Sequence, residues 1–223
     1  MKRLFSVLAA IVICSSLISA QSKINISAGG SFLSPISDFG DLYDNGFGGS
    51  VAVMYSLNDN FQLSLNAGYM QFTFNNAKFN QMLNEFYSQY GQSFNVNVDS
   101  KFKIIPIMLG GKYYFTKTIF RPYAALDLGL HIVSVAGSTV QVNGQTVDAL
   151  KSESKAATAW GVGVGFLYSV TPAIGIDVQG KLNGNNIEVG TNFSASSGGN
   201  SSSQSSNSTV IYFSIAAGIV FAL

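Results

Sequence analysis

Apolar side chains recur at every second position along eight separate stretches of this 223-residue chain. In the first stretch, Ile24, Ile26, Ala28 and Phe32 alternate with polar or small residues. This alternation is typical of a β-strand that has one apolar face and one polar face. The predicted strands are 23–32, 50–57, 61–69, 105–115, 121–132, 160–168, 174–183 and 211–223. The chain is therefore predicted to be all-β.

The composition restricts the environment in which such strands can fold. Only 10% of the residues are charged and 47% are hydrophobic, whereas a soluble domain typically has about 25% charged residues. The high hydrophobicity argues against disorder, and a net charge of +1 provides no basic excess for binding nucleic acid. After residue 20, no apolar run reaches the roughly 18 residues of a membrane helix. The apolar strand faces must therefore contact either a second sheet or lipid.

The connections between the predicted strands favour lipid, because short and long connections alternate. Segments 57–60, 116–118 and 170–173 are tight turns, whereas the connections 33–46, 75–97, 135–156 and 184–208 are long. Transmembrane barrels have short periplasmic turns and long external loops. We therefore predict an eight-stranded antiparallel up-and-down transmembrane β-barrel with its polar face inward. An even number of strands places both termini on the periplasmic side.

The first twenty residues have the layout of an export signal. Lys2 and Arg3 precede an apolar stretch, and Ala20 provides a small residue at the expected cleavage point. We predict a signal peptide at 1–20 and a barrel domain at 21–223. Cys14 is the single cysteine, so the mature chain would have no disulfide and no thiolate metal ligand.

Aromatic residues cluster near the short turns. A ring of aromatic side chains at each headgroup region is typical of membrane barrels. We expect the periplasmic ring to contain Tyr55, Phe61, Tyr113, Phe115, Phe120, Tyr168 and Phe221. Trp160 is at the opposite end of its strand and is predicted to belong to the outer ring.

Three segments carry a resemblance to a known family. Residues 31–46 (SFLSPISDFGDLYDNG), 104–115 (IIPIMLGGKYYF) and 121–123 (RPY) resemble the single-domain bacterial outer-membrane β-barrel proteins, the small relatives of the OmpA barrel, OmpX and OmpW. The resemblance implies an outer-membrane location, with outer-membrane lipid and lipopolysaccharide as surroundings. It also implies that periplasmic chaperones and the barrel-assembly machinery handle the chain during biogenesis. The last residues resemble the C-terminal assembly signal of the family at Gly218, Phe221 and Leu223, with leucine as the final residue instead of an aromatic one.

Charged residues at inward-facing positions are the first candidates for a functional site. The predicted polar lumen network consists of Lys23, Lys112, Arg121, Asp127, His131, Asp177 and Lys181. We favour a plug of ion pairs and hydrogen bonds over a gated polar path, because eight strands leave room only for side chains or one small ligand.

Catalysis and metal binding have weaker support. His131 and Ser134 are three residues apart, which places them on opposite faces of a strand and argues against a catalytic pair. Asp38, Asp41 and Asp44 lack the spacing of a calcium loop and are interpreted as solvated carboxylates. We therefore expect no catalytic residue, no metal and no cofactor.

The alternation changes near the outer end of two strands. Met70, Phe72, Phe102 and Ile104 are apolar at positions that should face inward, and Pro106 is adjacent to them. A bulge at Pro106 that exchanges the two faces is the favoured interpretation. A small apolar cavity in the upper lumen, as in OmpW-type barrels, is the alternative. Farther along the second long connection, apolar residues between 79 and 90 recur at helical spacing and predict an amphipathic helix.

Three functions remain open at this level. The first hypothesis is a non-enzymatic structural or surface-interaction protein with long external loops. The second is a narrow channel or carrier for small hydrophobic molecules. The third, which we favour least, is a lipid-modifying outer-membrane enzyme. The sequence does not identify an external ligand.

Overall fold

A computed structural model describes residues 23–88, 95–135, 139–142, 145–147, 153–192 and 203–223 of the chain. The predicted signal peptide lies outside these residues. Eight strands form a closed barrel. They are β1 (Ile24–Ile36), β2 (Gly46–Ser56), β3 (Phe61–Thr73), β5 (Lys101–Tyr114), β6 (Phe120–Val135), β9 (Glu153–Ser169), β10 (Ile174–Asn192) and β11 (Ser203–Ala222). Around the barrel they follow the order β1, β11, β10, β9, β6, β5, β3 and β2. Every neighbouring pair is antiparallel, which confirms the predicted fold.

The remaining elements belong to the long connections. Helix α1 (Asp38–Leu42) follows β1, and helix α2 (Asn76–Tyr87) follows β3. Strands β4 (Val96–Asp99), β7 (Thr139–Val142) and β8 (Gln145–Val147) form a separate three-stranded sheet. In the described part of the chain, neither helix is long and apolar enough to cross a membrane.

The last hairpin is longer than the sequence predicted. The connection 184–208 was interpreted as a loop, but β10 continues to Asn192 and β11 begins at Ser203. Asn192 and Ser203 still pair across the hairpin. Ser, Asn and Gly have low strand propensity, which explains why the pattern concealed this extension. Residues 193–202 lie outside the described part.

The pairing register determines the geometry of the barrel. A row of paired residues starts at Ser154 in β9 and passes through Lys103 and Phe32. It returns to β9 at Val164, ten residues farther along the strand. With eight strands and the usual strand spacings, this offset tilts the strands by about 40° from the barrel axis.

The outward face is apolar over the middle of each barrel strand. Val51, Leu65, Leu109, Leu128 and Val164 are all more than half exposed. The lumen is lined by the alternate residues, many of them polar or small. The structure also places the predicted periplasmic aromatic residues on the outward face, with Tyr55, Tyr113, Phe115, Phe120 and Tyr168 exposed. This arrangement requires a hydrocarbon surrounding, because one protein layer leaves the apolar side chains uncovered.

Candidate functional site

The lower lumen contains two ion pairs that cross between distant strands. The Lys112 ammonium on β5 contacts the Asp177 carboxylate on β10. The Tyr123 hydroxyl on β6 donates a hydrogen bond to the other oxygen of Asp177, and Lys112 also donates to Tyr123 Oη at 3.2 Å. Lys112 Nζ is 4.4 Å from the centre of the Tyr123 ring. Each charge is thus paired and hydrogen-bonded, as burial requires.

The second ion pair joins Lys181 on β10 to Asp127 on β6. Asn66 on β3 donates to the free oxygen of Asp127 at 3.3 Å. Gly110 explains how the carboxylate fits, since a Cβ at this position would overlap Asp127 Oδ1. A cavity of about 70 Å³ separates these charged groups from the small residues of β1, β2 and β11.

Arg121 and Lys23 were both predicted in the lumen network, but the structure places them at its rim. The Arg121 guanidinium stacks on the Tyr114 ring at 4.1 Å and donates to the Asp59 carbonyl in the turn after β2. Lys23 is exposed and precedes β1, and the Ser56 amide donates to its backbone carbonyl. The prediction was wrong for Lys23 because the alternation of polar and apolar residues in the sequence continues past the first residue of β1, where the barrel ends.

An exposed ion pair joins two turns at this rim, the one after β2 and the one after β5. Lys117 Nζ is 2.9 Å from the Asp59 carboxylate. The hydrogen bond and the charge of Lys117 lower the pKa of Asp59 below its ordinary value. Because both side chains are solvated, this pair contributes little to stability.

His131 is buried above the ion pairs. Its ring is only 1% exposed, and Nδ1 accepts a hydrogen bond of 2.8 Å from the Asn185 side-chain amide. Ser134 lies on the outward face, where its hydroxyl contacts that of Ser154 at 2.6 Å. The two residues are therefore on opposite faces of β6. In the part of the chain that the structure describes, no group of three His, Cys, Asp or Glu residues could hold a metal.

The upper lumen is apolar and filled. Phe72, Phe102 and Ile104 are buried there, and Met70 packs against them. The predicted bulge at Pro106 is wrong, since Ala67 pairs with Ile107 and Met70 with Ile104 in one continuous register. The faces do not exchange. Instead, the strands extend beyond the hydrocarbon, so that apolar residues face inward while Gln71 and Lys103 face outward.

Helix α1 closes the mouth of the barrel at the end opposite the termini. It positions Phe39, which is 6% exposed, with ring centres 5.0 Å from Phe72 and 4.9 Å from Phe102. Tyr43 packs on Phe39 at 4.8 Å, and burial raises the pKa of its hydroxyl. Phe39 was not among the predicted site residues. In the sequence, Phe39 is an isolated phenylalanine within a long connection, and this was the single feature that could have pointed to it.

Helix α2 is anchored over the barrel by asparagine side chains. Asn75 caps it by accepting from the Lys78 amide at 2.8 Å. Asn76 and Asn80 each form two hydrogen bonds with the backbone of β4, at Val98 and Val96. These amide pairs cover an edge of β4 that no described strand occupies. The helix ends earlier than the predicted 79–90, and residues 89–94 lie outside the described part.

Lys78 joins the two helices, because its ammonium donates to the Gly40 carbonyl of α1 at 2.8 Å. Met82 and Phe86 of helix α2 are exposed. The helices and the three-stranded sheet therefore form one assembly above the barrel.

The C-terminal residues take part in barrel closure. Gly218 pairs with Gly29 on one side and with Asp177 on the other, and Phe221 pairs with Ile26 and Ile174. The Leu223 amide donates to the Ile24 carbonyl at 3.1 Å. Recognition of Gly218, Phe221 and Leu223 by the assembly machinery stays a prediction.

Comparison with known proteins agrees with this architecture. A family model described as outer membrane protein beta-barrel domain matches residues 5–187. The outer membrane protein PagN of Salmonella typhimurium is 33% identical over 154 residues, which span 67% of this chain and 62% of PagN. The match therefore leaves more than a third of PagN uncovered.

Two solved structures share the fold. The crystal structure of neisserial surface protein A superimposes with a TM-score of 0.52 at 17% identity, covering 91% of this chain and 98% of that protein. A major outer membrane protein from Thermus thermophilus gives a TM-score of 0.53 at 14% identity, covering 91% of this chain and 100% of that protein.

Proposed function

Because the chain belongs to the outer membrane protein beta-barrel domain family, we propose that this bacterial outer membrane protein is a non-enzymatic surface-interaction protein with a closed lumen. The observation that carries the proposal is the pair of barriers inside the barrel. Phe39 and its aromatic neighbours fill the outer half, and the pairs Lys112–Asp177 and Lys181–Asp127 cross the inner half. A lumen with both barriers conducts neither ions nor small solutes.

The extramembrane assembly of α1, α2 and β4 supports the surface-interaction role. Asn76 and Asn80 accept hydrogen bonds from the β4 backbone, and Lys78 donates one to α1. These bonds hold the assembly in one arrangement, so a partner meets a preorganised surface. Met82 and Phe86 are exposed on that surface, with Phe86 64% exposed. PagN is named an outer membrane protein, and the structurally similar neisserial protein is named a surface protein, which agrees with this role.

The orientation and the processing of the chain are part of the proposal. Both ends of the barrel, Ile24 and Leu223, lie at the rim of the short turns and are joined by a backbone hydrogen bond. Barrels of this type have short periplasmic turns, which places both termini in the periplasm and the helices outside. The segment 1–20 is removed on export, and periplasmic chaperones and the assembly machinery deliver the mature chain.

A carrier for small hydrophobic molecules is the alternative, and the apolar upper lumen is the observation that favours it. The test is planar-bilayer conductance and liposome swelling with the purified mature protein. A closed lumen gives no channel events above the protein-free bilayer and no swelling with sugars. Uptake of a small fluorescent apolar probe into protein-containing vesicles, faster than into empty vesicles, would overturn the proposal.

A lipid-modifying activity is tested separately. His131 hydrogen-bonds Asn185, whereas the Ser134 hydroxyl contacts that of Ser154 on the opposite face of β6. We expect three kinds of cells to have the same lipid A mass spectrum: wild-type cells, cells that carry His131→Ala and cells that lack the gene. A mass change that depends on the protein and disappears in the variant would assign it an enzymatic role.

A further inference from the structure

The outward face changes from apolar to polar at one level on β3 and β5. On β5, Leu109, Ile107 and Ile105 are exposed and apolar, and the next outward residues are Lys103 and Lys101. On β3, Tyr69 is followed outward by Gln71 and Thr73. Side chains on the lipid side that become polar in this way mark the point where the strands leave the hydrocarbon.

The register places these polar residues next to each other. Lys103 pairs with Gln71, and Lys101 pairs with Thr73. The Tyr69 hydroxyl donates to Gln71 Oε1 at 3.2 Å, which orients the Gln71 amide and leaves its NH₂ group as a donor. Two ammonium groups and an amide donor thus share one patch of the headgroup level.

Among the side chains that the structure describes, neither lysine has an ion-pair partner. Three other described lysines, Lys112, Lys117 and Lys181, each form an ion pair with an aspartate. An unneutralised pair of lysines at the membrane surface attracts anionic lipid headgroups.

A groove beside the lysines provides an apolar contact. It has a volume of about 300 Å³ and is lined by Asn45, Gly46, Phe47, Tyr69, Gln71 and Thr73. Phe47 is 70% exposed there, and its ring centre lies 5.5 Å from that of Phe32. The rings of Phe47 and Tyr69 suit contact with the upper part of the acyl chains of a lipid, and the two lysines beside the groove suit contact with its phosphates.

We propose that this patch, formed by Lys101, Lys103, Gln71, Tyr69 and Phe47, binds a phosphorylated lipid of the outer leaflet. The proposal rests on the proposed orientation of the barrel, because it requires β3 and β5 to leave the membrane on the outer side. The lysines bind the phosphates, Gln71 donates to a phosphate or sugar oxygen, and Phe47 with Tyr69 contacts the base of the lipid.

The test uses the full mature chain, refolded in a non-ionic detergent, with diphosphoryl lipid A as the probe. Native mass spectrometry measures the fraction of barrels that retain one lipid. Lys101→Gln with Lys103→Gln should weaken binding about thirtyfold, since each lysine near an anionic surface contributes about fivefold. Lys23→Gln, which removes an exposed charge at the opposite rim, is the matched control and should bind like the wild type. A heat-modifiable band on gels verifies that each variant is folded.

Two further arms identify the ligand. Lipid A without its phosphates should bind as weakly as the double variant does to the phosphorylated form. Millimolar inorganic phosphate should not displace the lipid, because the groove contributes the remaining contacts. Equal binding by the double variant and Lys23→Gln, or complete displacement by phosphate, would overturn the proposal. Conductance in the same preparations reports on the closed lumen independently, so the two proposals can fail separately.

Discussion

Individual charged residues in the lumen depend on their partners. Asp127 is 5% exposed at its side chain and is neutralised by Lys181, with Asn66 as its other donor. Removing one member of a buried ion pair leaves an uncompensated charge, whereas removing both charges together does not. Each charge of the pair therefore requires the other to remain buried, and the pair as a whole is not a net source of stability.

Lys181→Met should destabilise the barrel by about 3 kcal/mol, because Asp127 remains charged and buried. Adding Asp127→Asn should recover most of this loss, since an asparagine keeps an acceptor for Asn66. Urea unfolding in lipid vesicles, followed by the fluorescence of Trp160, measures both changes. Lys117→Met removes the exposed partner of Asp59 and should leave the midpoint unchanged. Equal midpoints for Lys181→Met and Lys117→Met would show that the lumen pair is not a requirement.

At the scale of single elements, α1 is a plug whose stability comes from one side chain. The helix has five residues, too few to be stable alone in water. Phe39 anchors it by burial against Phe72 and Phe102. Since α1 lies above the membrane, losing this anchor should open the plug locally while the barrel remains folded.

Phe39→Ala should therefore increase hydrogen exchange at the Gly40 and Tyr43 amides, which are bonded to Ser37 and Phe39 carbonyls. A buried phenylalanine truncated to alanine costs about 3 kcal/mol, so protection should fall by roughly a hundredfold. Exchange at barrel amides of β6 should stay at the wild-type rate. Phe86→Ala removes an exposed ring from α2 and is the matched control. Unchanged protection in α1 would show that Phe39 does not hold the plug.

The sequence predicted the elements whose pattern is regular. Alternation at Leu63, Leu109 and Leu128 sets the outward face of β3, β5 and β6. The turns near 58, 117 and 171 join the strand pairs β2–β3, β5–β6 and β9–β10. It could not predict α1, because a five-residue helix has no period to detect. It predicted a bulge that the structure does not have, because apolar residues at Met70 and Phe72 look like a change of face when the membrane boundary is unknown.

The candidate site was predictable to the same extent. Lys112, Asp127, Asp177 and Lys181 follow from inward alternation, but which lysine meets which aspartate depends on the offset of ten residues around the barrel. That offset comes from backbone pairing among all eight strands and leaves no local trace in the sequence. The same global register brings Lys103 beside Gln71.

At the scale of the whole molecule, the tilt and register align one aromatic residue from each of several strands at one level, near the end of the barrel opposite the termini. Trp160 packs over Gly184 in β10, with ring atoms 2.6 Å from where a Cβ would lie. Phe213, Tyr69 and Phe47 are outward at the same end of their strands. Aromatic rings at this depth anchor a barrel in the headgroup region.

Trp160 is the single tryptophan, so its fluorescence reports the depth of the barrel directly. In vesicles, lipids brominated near the headgroup should quench it more strongly than lipids brominated near the chain end. The double change Trp160→Phe with Val164→Trp moves the reporter four residues along the same outward face of β9, to a position that is 66% exposed. At about 3.3 Å per residue and a tilt of about 40°, the new indole lies roughly 10 Å deeper, so the order of quenching should reverse. Identical quenching profiles for the two proteins would mean that the apolar belt does not lie across the bilayer as the strand faces require.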